Sequence, residues 1–363
     1  MVGHDAVVGF LEQVYVIRFD NNGDTLWTGH YGSDSLHELG TGIKETTDKG
    51  FILSFYRSPG PTGIIKIDSS GNLQFLKNYY LYDGAQFYNV NVLQDGGFIA
   101  CGVVQDNTDT ISTTHGVIMR TDSLGNPIWT KEFVGTDGAE FYEAQQTYDG
   151  NIIIGGISYG SRWSPYFLKL NLNGDTIWTQ QYLGNEGTYI LSITQCTDGG
   201  FIAAGIIYHA SNNSNVYLIK LDSIGQTEWV KEFGDPVGSD LGYCVRQTND
   251  GGFVICGMYS VGYNFYLIKT DSIGNISTGI IDPHGESNLV SLYPNPTSNV
   301  LHISCNTLML QLQITDITGR QVYTACNLQQ HTSIDVSQLP NGLYFCTIKT
   351  QNALFTKKLN IIR

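Results

Sequence analysis

The stretch NDGGFVICG, Asn249 to Gly257, decides the fold. A polar tight turn with paired glycines stands directly before a short apolar run that ends in glycine, the pattern of a hairpin turn feeding a buried strand. Four relatives of it lie upstream: TDKGFILSF from Thr47, QDGGFIACG from Gln94, YDGNIIIGG from Tyr148 and TDGGFIAAG from Thr197. Their aspartates, Asp48, Asp95, Asp149, Asp198 and Asp250, are 47, 54, 49 and 52 residues apart. A second signature alternates with the first, an aliphatic run, a base and a turn, as in LIKLDSIGQTEW. Its glycines, Gly23, Gly71, Gly125, Gly174, Gly225 and Gly274, recur at 48, 54, 49, 51 and 49 residues. Several short strands repeated at a period near 50 predict an all-β chain whose main part is a β-propeller.

Each unit divides into strands a to d. The DGG turn joins a to b and the DSxGN turn joins c to d, which puts both turns at one end of an antiparallel sheet. Full units fit residues 35–80, 84–133, 138–183, 187–234 and 240–280. A sixth, incomplete one precedes them, because Gly3 aligns with Gly205 and Met1 then falls near the end of a strand b. The expectation is about six four-stranded blades over residues 1–280, from a reading frame that starts late. Gly205, Tyr217 and Trp229 loosely resemble the glycine, tyrosine and tryptophan of kelch-type blades. The DxxGxxxW pattern is superficially similar to the aspartate box of sialidase-like propellers. Its spacing differs, with Asp222 and Trp229 seven apart, so no glycosidase site is carried over.

Composition supports this reading. The chain of 363 residues has 42 glycines, 22 tyrosines and 16 phenylalanines, and only 14% of it is charged, as suits a turn-rich β protein. A net charge of -14 disfavours nucleic acid and anionic membrane as partners. Divided after Gly285, the first part holds 30 acids against 14 bases and the rest 3 against 5. Such a contrast marks two domains. No apolar run is long enough to span a membrane, and no basic segment followed by an apolar core opens the chain. Seven cysteines without a CxxC pair read as small buried strand residues.

Little in the repeats points to catalysis. GISYG, Gly156 to Gly160, fits the GxSxG formula but leads into another strand instead of a helix. DNNGD, Asp20 to Asp24, lacks the distal glutamate of a calcium loop. A base two residues before each c–d turn, Arg18, Lys66, Arg120, Lys169, Lys220 and Lys269, reads as a repeated structural ion pair with the DGG aspartates. No metal or other cofactor is expected. Symmetry-breaking loops opposite the DGG turns are where a ligand site belongs. They carry Arg57, Tyr159, Arg162, Trp163, Tyr208, His209 and Tyr263, residue types suited to a glycan or a peptide.

TGIIDPHGESN, Thr278 to Asn288, has no strand pattern, and residues 281–289 read as a linker. Seven short alternating runs follow over residues 290–363, a small Ig-like β-sandwich. YPNPTSNVLHI (Tyr293 to Ile303), ITDITGRQVY (Ile314 to Tyr323), DVSQLPNGLYFCTIKT (Asp335 to Thr350) and KKLNIIR (Lys357 to Arg363) occur in that order. Together they resemble the type A C-terminal sorting domain of the type IX secretion system of Bacteroidota. The resemblance implies Pro294, Asn295, Pro296, Gly319, Arg320, Gly342, Tyr344, Lys357 and Lys358 as the recognised signature. It further implies the secretion machinery and its sortase as partners, and the cell surface or the medium as destination. The sequence thus predicts a monomeric, non-catalytic binding or adhesion protein. A glycan-active propeller enzyme and a structural surface component are its alternatives.

Overall fold

The computed structural model describes residues 2–7, 11–33, 37–57, 60–81, 84–106, 113–134, 137–182, 184, 186–209, 213–234, 238–259, 264–276, 290–305, 307–350 and 354–362. The chain divides into two compact units, Met1–Ile276 and Ser277–Arg363.

The first unit is a succession of antiparallel meander sheets in chain order. The first sheet holds β1 (Val2–Val7), β2 (Leu11–Phe19) and β3 (Thr25–Tyr31), and the second β4 (Glu38–Glu45), β5 (Phe51–Arg57), β6 (Thr62–Ile67) and β7 (Leu73–Tyr79). The third holds β8 (Gly84–Val92), β9 (Phe98–Asp106), β10 (Thr113–Thr121) and β11 (Pro127–Phe133), and the fourth β12 (Ala139–Gln146), β13 (Ile152–Ser158), β14 (Ser164–Leu170) and β15 (Thr176–Gln181). The fifth comprises β16 (Gly187–Gln195), β17 (Phe201–Tyr208), β18 (Ser214–Leu221) and β19 (Thr227–Phe233); the sixth, among the described residues, comprises β20 (Asp240–Gln247), β21 (Phe253–Tyr259) and β22 (Asn264–Thr270). The a strands of consecutive sheets, β4, β8, β12, β16 and β20, pack on one another. Sheets that meet along their first strands radiate from an axis, which is the propeller arrangement.

The DGG turn explains its own composition. Its first glycine takes a left-handed backbone, as at Gly199 with φ of 85°, where a side chain is strained. The second stands against the base of strand c: a Cβ on Gly200 would lie 2.6 Å from Lys220 Nζ and 2.3 Å from the Leu221 carbonyl oxygen. In the c–d turn the aspartate carboxylate does the work, Asp222 Oδ1 accepting the Ile224 and Gln226 amides at 3.0 and 2.8 Å.

Apolar residues from facing sheets close five core clusters, one between each pair of consecutive sheets. Phe55, Phe87, Phe141, Phe167, Phe201 and Phe253 are completely enclosed, each contributing about 1.5–3 kcal/mol by burial. Strand d adds a polar clamp to the following sheet. Trp129 Nε1 donates to the Leu172 carbonyl at 2.9 Å and Tyr79 Oη to the Gly125 carbonyl at 2.7 Å. The tryptophan ring also lies against the glycine of the next sheet's turn, a Cβ on Gly174 falling 3.1 Å from Trp129. On the sixth sheet, Phe265 is 85% exposed, although its counterpart Val216 in β18 is buried under that same sheet.

The second unit packs β23 (Val290–Tyr293), β24 (Val300–Cys305) and β27 (His331–Asp335) as one sheet, and β25 (Met309–Asp316), β26 (Gln321–Leu328), β28 (Gly342–Lys349) and β29 (Leu354–Ile361) as the other. Both sheets contribute to one core that includes Leu301, Leu312, Ile314, Cys346, Ile348 and Leu359, a small β-sandwich.

Candidate functional site

The regular basic residues are structural. Lys66 lies 2.9 Å from Asp48, Arg120 2.5 Å from Asp95, Lys169 2.7 Å from Asp149, Lys220 2.9 Å from Asp198 and Lys269 2.9 Å from Asp250, each pair within one sheet. Arg18 instead donates to the Ser69 carbonyl and covers the Phe51 ring. The Thr46 hydroxyl and Lys66 hold the Asp48 carboxyl down from its ordinary 3.8 to about 2. Thr248 and Lys269 lower Asp250 in the same way. At Asp95, Asp149 and Asp198 burial opposes ionisation, and hydrogen bonds from the turn and from the adjacent base outweigh it. A carboxylate held low in the folded state adds stability above its unfolded value and loses it as the pH falls through the folded value. Urea melts should therefore show the repeat unit weakening as the pH drops from 3.8 towards 2. A flat profile across that window would contradict the pairing.

Symmetry breaks on the face opposite these turns. The segment joining β13 to β14 places Arg162 and Trp163 beside Tyr208, the last residue of β17, and His209 after it. Together with Gly160, Ser161, Glu186 and Gly187 they line a cavity of about 400 Å³. Trp163 and Tyr208 are 39% and 38% exposed. Their rings meet edge to face at 6.0 Å, and Tyr189 packs on both at 4.8 and 5.5 Å. His209 Nε2 stands 3.2 Å from Glu232 Oε2. A second cavity of about 320 Å³, lined by Pro165, Gln181, Tyr182, Thr188, Ile207 and Tyr217, shares Glu186 with the first.

Tyr159 lies next to this group and is spent on an internal bond. Its hydroxyl and that of Tyr142, at 2.8 Å, both donate to Glu140, and Tyr88 reaches the same carboxylate at 3.3 Å. Tyr88 and Tyr142 are stacked at 5.0 Å. Burial first, and then the charge of Glu140 and the hydrogen bond to it, raise all three hydroxyl pKa values. The tyrosines therefore stay neutral donors.

Arg57 belongs elsewhere. It closes on Glu38 through Nε at 2.6 Å, and the carboxylate, fully enclosed, also accepts the Ser33 amide at 2.6 Å. Arg57, the last residue of β5, thus stands at the same end of its sheet as Tyr208 does of the fifth, but its guanidinium is enclosed in a buried pair and does not line the cavity. Tyr263 and the linker 281–289 lie outside the described residues. Ser158, the serine of the GxSxG match, ends β13 and is followed by a strand.

Sequence reasoning missed Tyr88, Tyr142, Tyr189, Tyr243, Glu140 and Glu186. Three of the tyrosines are bulge residues: pairing between strands a and b skips Tyr88, Tyr142 and Tyr243. A bulge re-aims the extra side chain away from the alternating pattern. The only trace in the sequence is an aromatic residue out of step, as in QFYNV and EFYEA.

In the second unit, the separate signature blocks meet. Asn295 donates through Nδ2 to the Lys358 carbonyl at 2.8 Å and accepts the Asn360 amide at 2.9 Å. Thr297 adds two backbone bonds, its amide to Asn360 O at 2.9 Å and its carbonyl from Ile362 at 3.0 Å. Pro294, Asn295, Pro296 and Lys358 are exposed and Lys357 is half-buried. Arg320 pairs with Asp316 at 3.0 Å across the turn made by Gly319. Tyr344, buried, donates to the Pro340 carbonyl at 2.9 Å, just before Gly342 opens β28.

No curated protein matches the sequence. Among solved structures, the chain is similar to a puromycin hydrolase, with a TM-score of 0.53 and 12% identity over 98% of this chain and 56% of that one. A protein of unknown function from Dyadobacter fermentans gives 0.51 and 11% over 85% and 95%. PorZ, a surface component of the type IX secretion system of Porphyromonas gingivalis, gives 0.43 and 13% over 97% and 50%. At such identities the likeness above 0.5 concerns the fold alone. Residues 291–362 match the family of secretion system C-terminal sorting domains, and this chain therefore carries a sorting domain at its C-terminal end.

Proposed function

We propose that the protein is exported by the type IX system to the cell surface or the medium, where its propeller binds a glycan or protein ligand without transforming it. Export rests on the sorting domain at residues 291–362. Binding rests on one observation, the half-exposed Trp163 and Tyr208 rings in a cavity that also presents Arg162, Glu186 and His209. A concave site with aromatic walls and a few polar groups is what small ligands and ligand segments occupy. Among the described lining residues Glu186 is the one carboxylate, whereas glycoside hydrolysis ordinarily uses a facing pair.

The test is a screen of the full chain against glycan and peptide arrays, followed by Trp163→Ala. Truncating an aromatic anchor costs about 2 kcal/mol or more, so the variant should lose at least about tenfold in affinity for any hit. Its fold should survive, because the ring is half-exposed. Hits that bind wild type and variant alike would defeat this reading.

A further inference from the structure

The aromatic residues around the cavity do not end at its rim. Tyr88 lies in the third sheet, Tyr142, Tyr159 and Trp163 in or beside the fourth, Tyr189 and Tyr208 in the fifth and Tyr243 in the sixth. Ring separations of 5.0 Å for Tyr88 and Tyr142, and of 4.8 to 6.0 Å among Trp163, Tyr189 and Tyr208, make two tight groups. Glu140 and Tyr159 stand between them: Tyr159, Tyr142 and Tyr88 all reach the Glu140 carboxylate, and β12, which carries Glu140, packs on β16, which carries Tyr189. Tyr243 continues the run in β20, which packs on β16 and on β17, the strand that ends in Tyr208. Tyr243 is exposed and unstacked among the described ring pairs. A second cavity that also has Glu186 in its lining adjoins the first.

We propose that this track across four sheets is a series of subsites for a linear, uncharged polysaccharide, with the Trp163 cavity as the central one. The proposal rests on the binding reading above and narrows it. Flat ring faces match the apolar C–H faces of sugar rings, and flanking carboxylate, imidazole and guanidinium groups match their hydroxyls. A peptide is ordinarily held by a sheet edge, an apolar helix groove or a cluster of arginines; the described lining has one arginine, Arg162. An anionic polymer is disfavoured because Glu140, Glu186 and Glu232 face or flank the track.

Isothermal titration of the full chain with β-1,4-linked gluco-, xylo- and manno-oligosaccharides of two and six residues tests this, with polygalacturonate as the anionic control. At least one hexasaccharide should bind about tenfold or more tighter than its disaccharide, the gain expected when neighbouring subsites act together. Tyr243→Ala should weaken the hexasaccharide and leave the disaccharide unchanged, while Trp163→Ala weakens both. Equal affinities for the two lengths would overturn the track yet leave the binding reading standing. Trp163-dependent binding of polygalacturonate or a peptide, with none of the neutral sugars bound, would overturn the ligand class only. Binding indifferent to Trp163 would overturn both.

Discussion

Deleting residues 291–362 is expected to abolish appearance of the protein at the cell surface and in the medium, and to leave it within the cell envelope. The two compact units have separate cores, so the repeat unit should remain folded when the sorting domain is removed. Fractionation of a host with a type IX system, combined with limited proteolysis of the retained protein, measures both halves of the claim. A milder change probes the same unit. Asn295→Ala removes two hydrogen bonds that tie the YPNPTSN segment to the terminal strand, worth about 0.5–1.5 kcal/mol each. It should reduce export while the propeller's melting transition stays put. Undiminished export of the deletion variant would sink the assignment.

Arg57→Ala is expected to destabilise the propeller by about 3–5 kcal/mol, the cost of leaving a buried charge without its partner. Glu38 has no exposed side-chain surface and Arg57 only 10%, so the pair is shielded from solvent. Of these two partners Glu38 would keep the Ser33 amide alone, one neutral hydrogen bond in place of a charged one. The double variant Glu38→Leu/Arg57→Ala should recover much of the loss, because replacing both charges removes the unpaired one. By contrast, Lys269→Ala should cost far less than Arg57→Ala: its partner Asp250 is 65% exposed, and solvent screens exposed pairs. Guanidinium melts of the full chain decide the matter. A loss below 1 kcal/mol for Arg57→Ala would show that the pair is not buried in solution.

Much of the architecture was legible because its causes are local. A left-handed turn position favours glycine, as at Gly199 and Gly251, with Lys49 the exception in the first copy, and the carboxylate of Asp222 or Asp271 organises its own turn by accepting an amide four residues on. The ligand face was legible only in part. Arg162, Trp163, Tyr208 and His209 stand on interruptions of the repeat, which sequence comparison of one unit with the next exposes, and the structure gathers them at one cavity. Arg57 looked equivalent to them. Nothing near it in sequence reveals that Glu38, 19 residues earlier on the neighbouring strand, absorbs it.

Taken alone, the sequence determined the repeat, its strand order and its turns, since these follow from period and glycine placement over short spans, and its four C-terminal blocks pointed to a sorting domain. The tertiary structure decided which side chains meet. The bulges at Tyr88, Tyr142 and Tyr243 arise only when strands a and b pair, and the clamp from Trp129 to Leu172 arises only when one sheet lies on the next. Asn295 likewise finds Lys358 and Asn360 only once the sandwich closes. Contacts between residues distant in the chain depend on register and packing, and a turn motif carries neither.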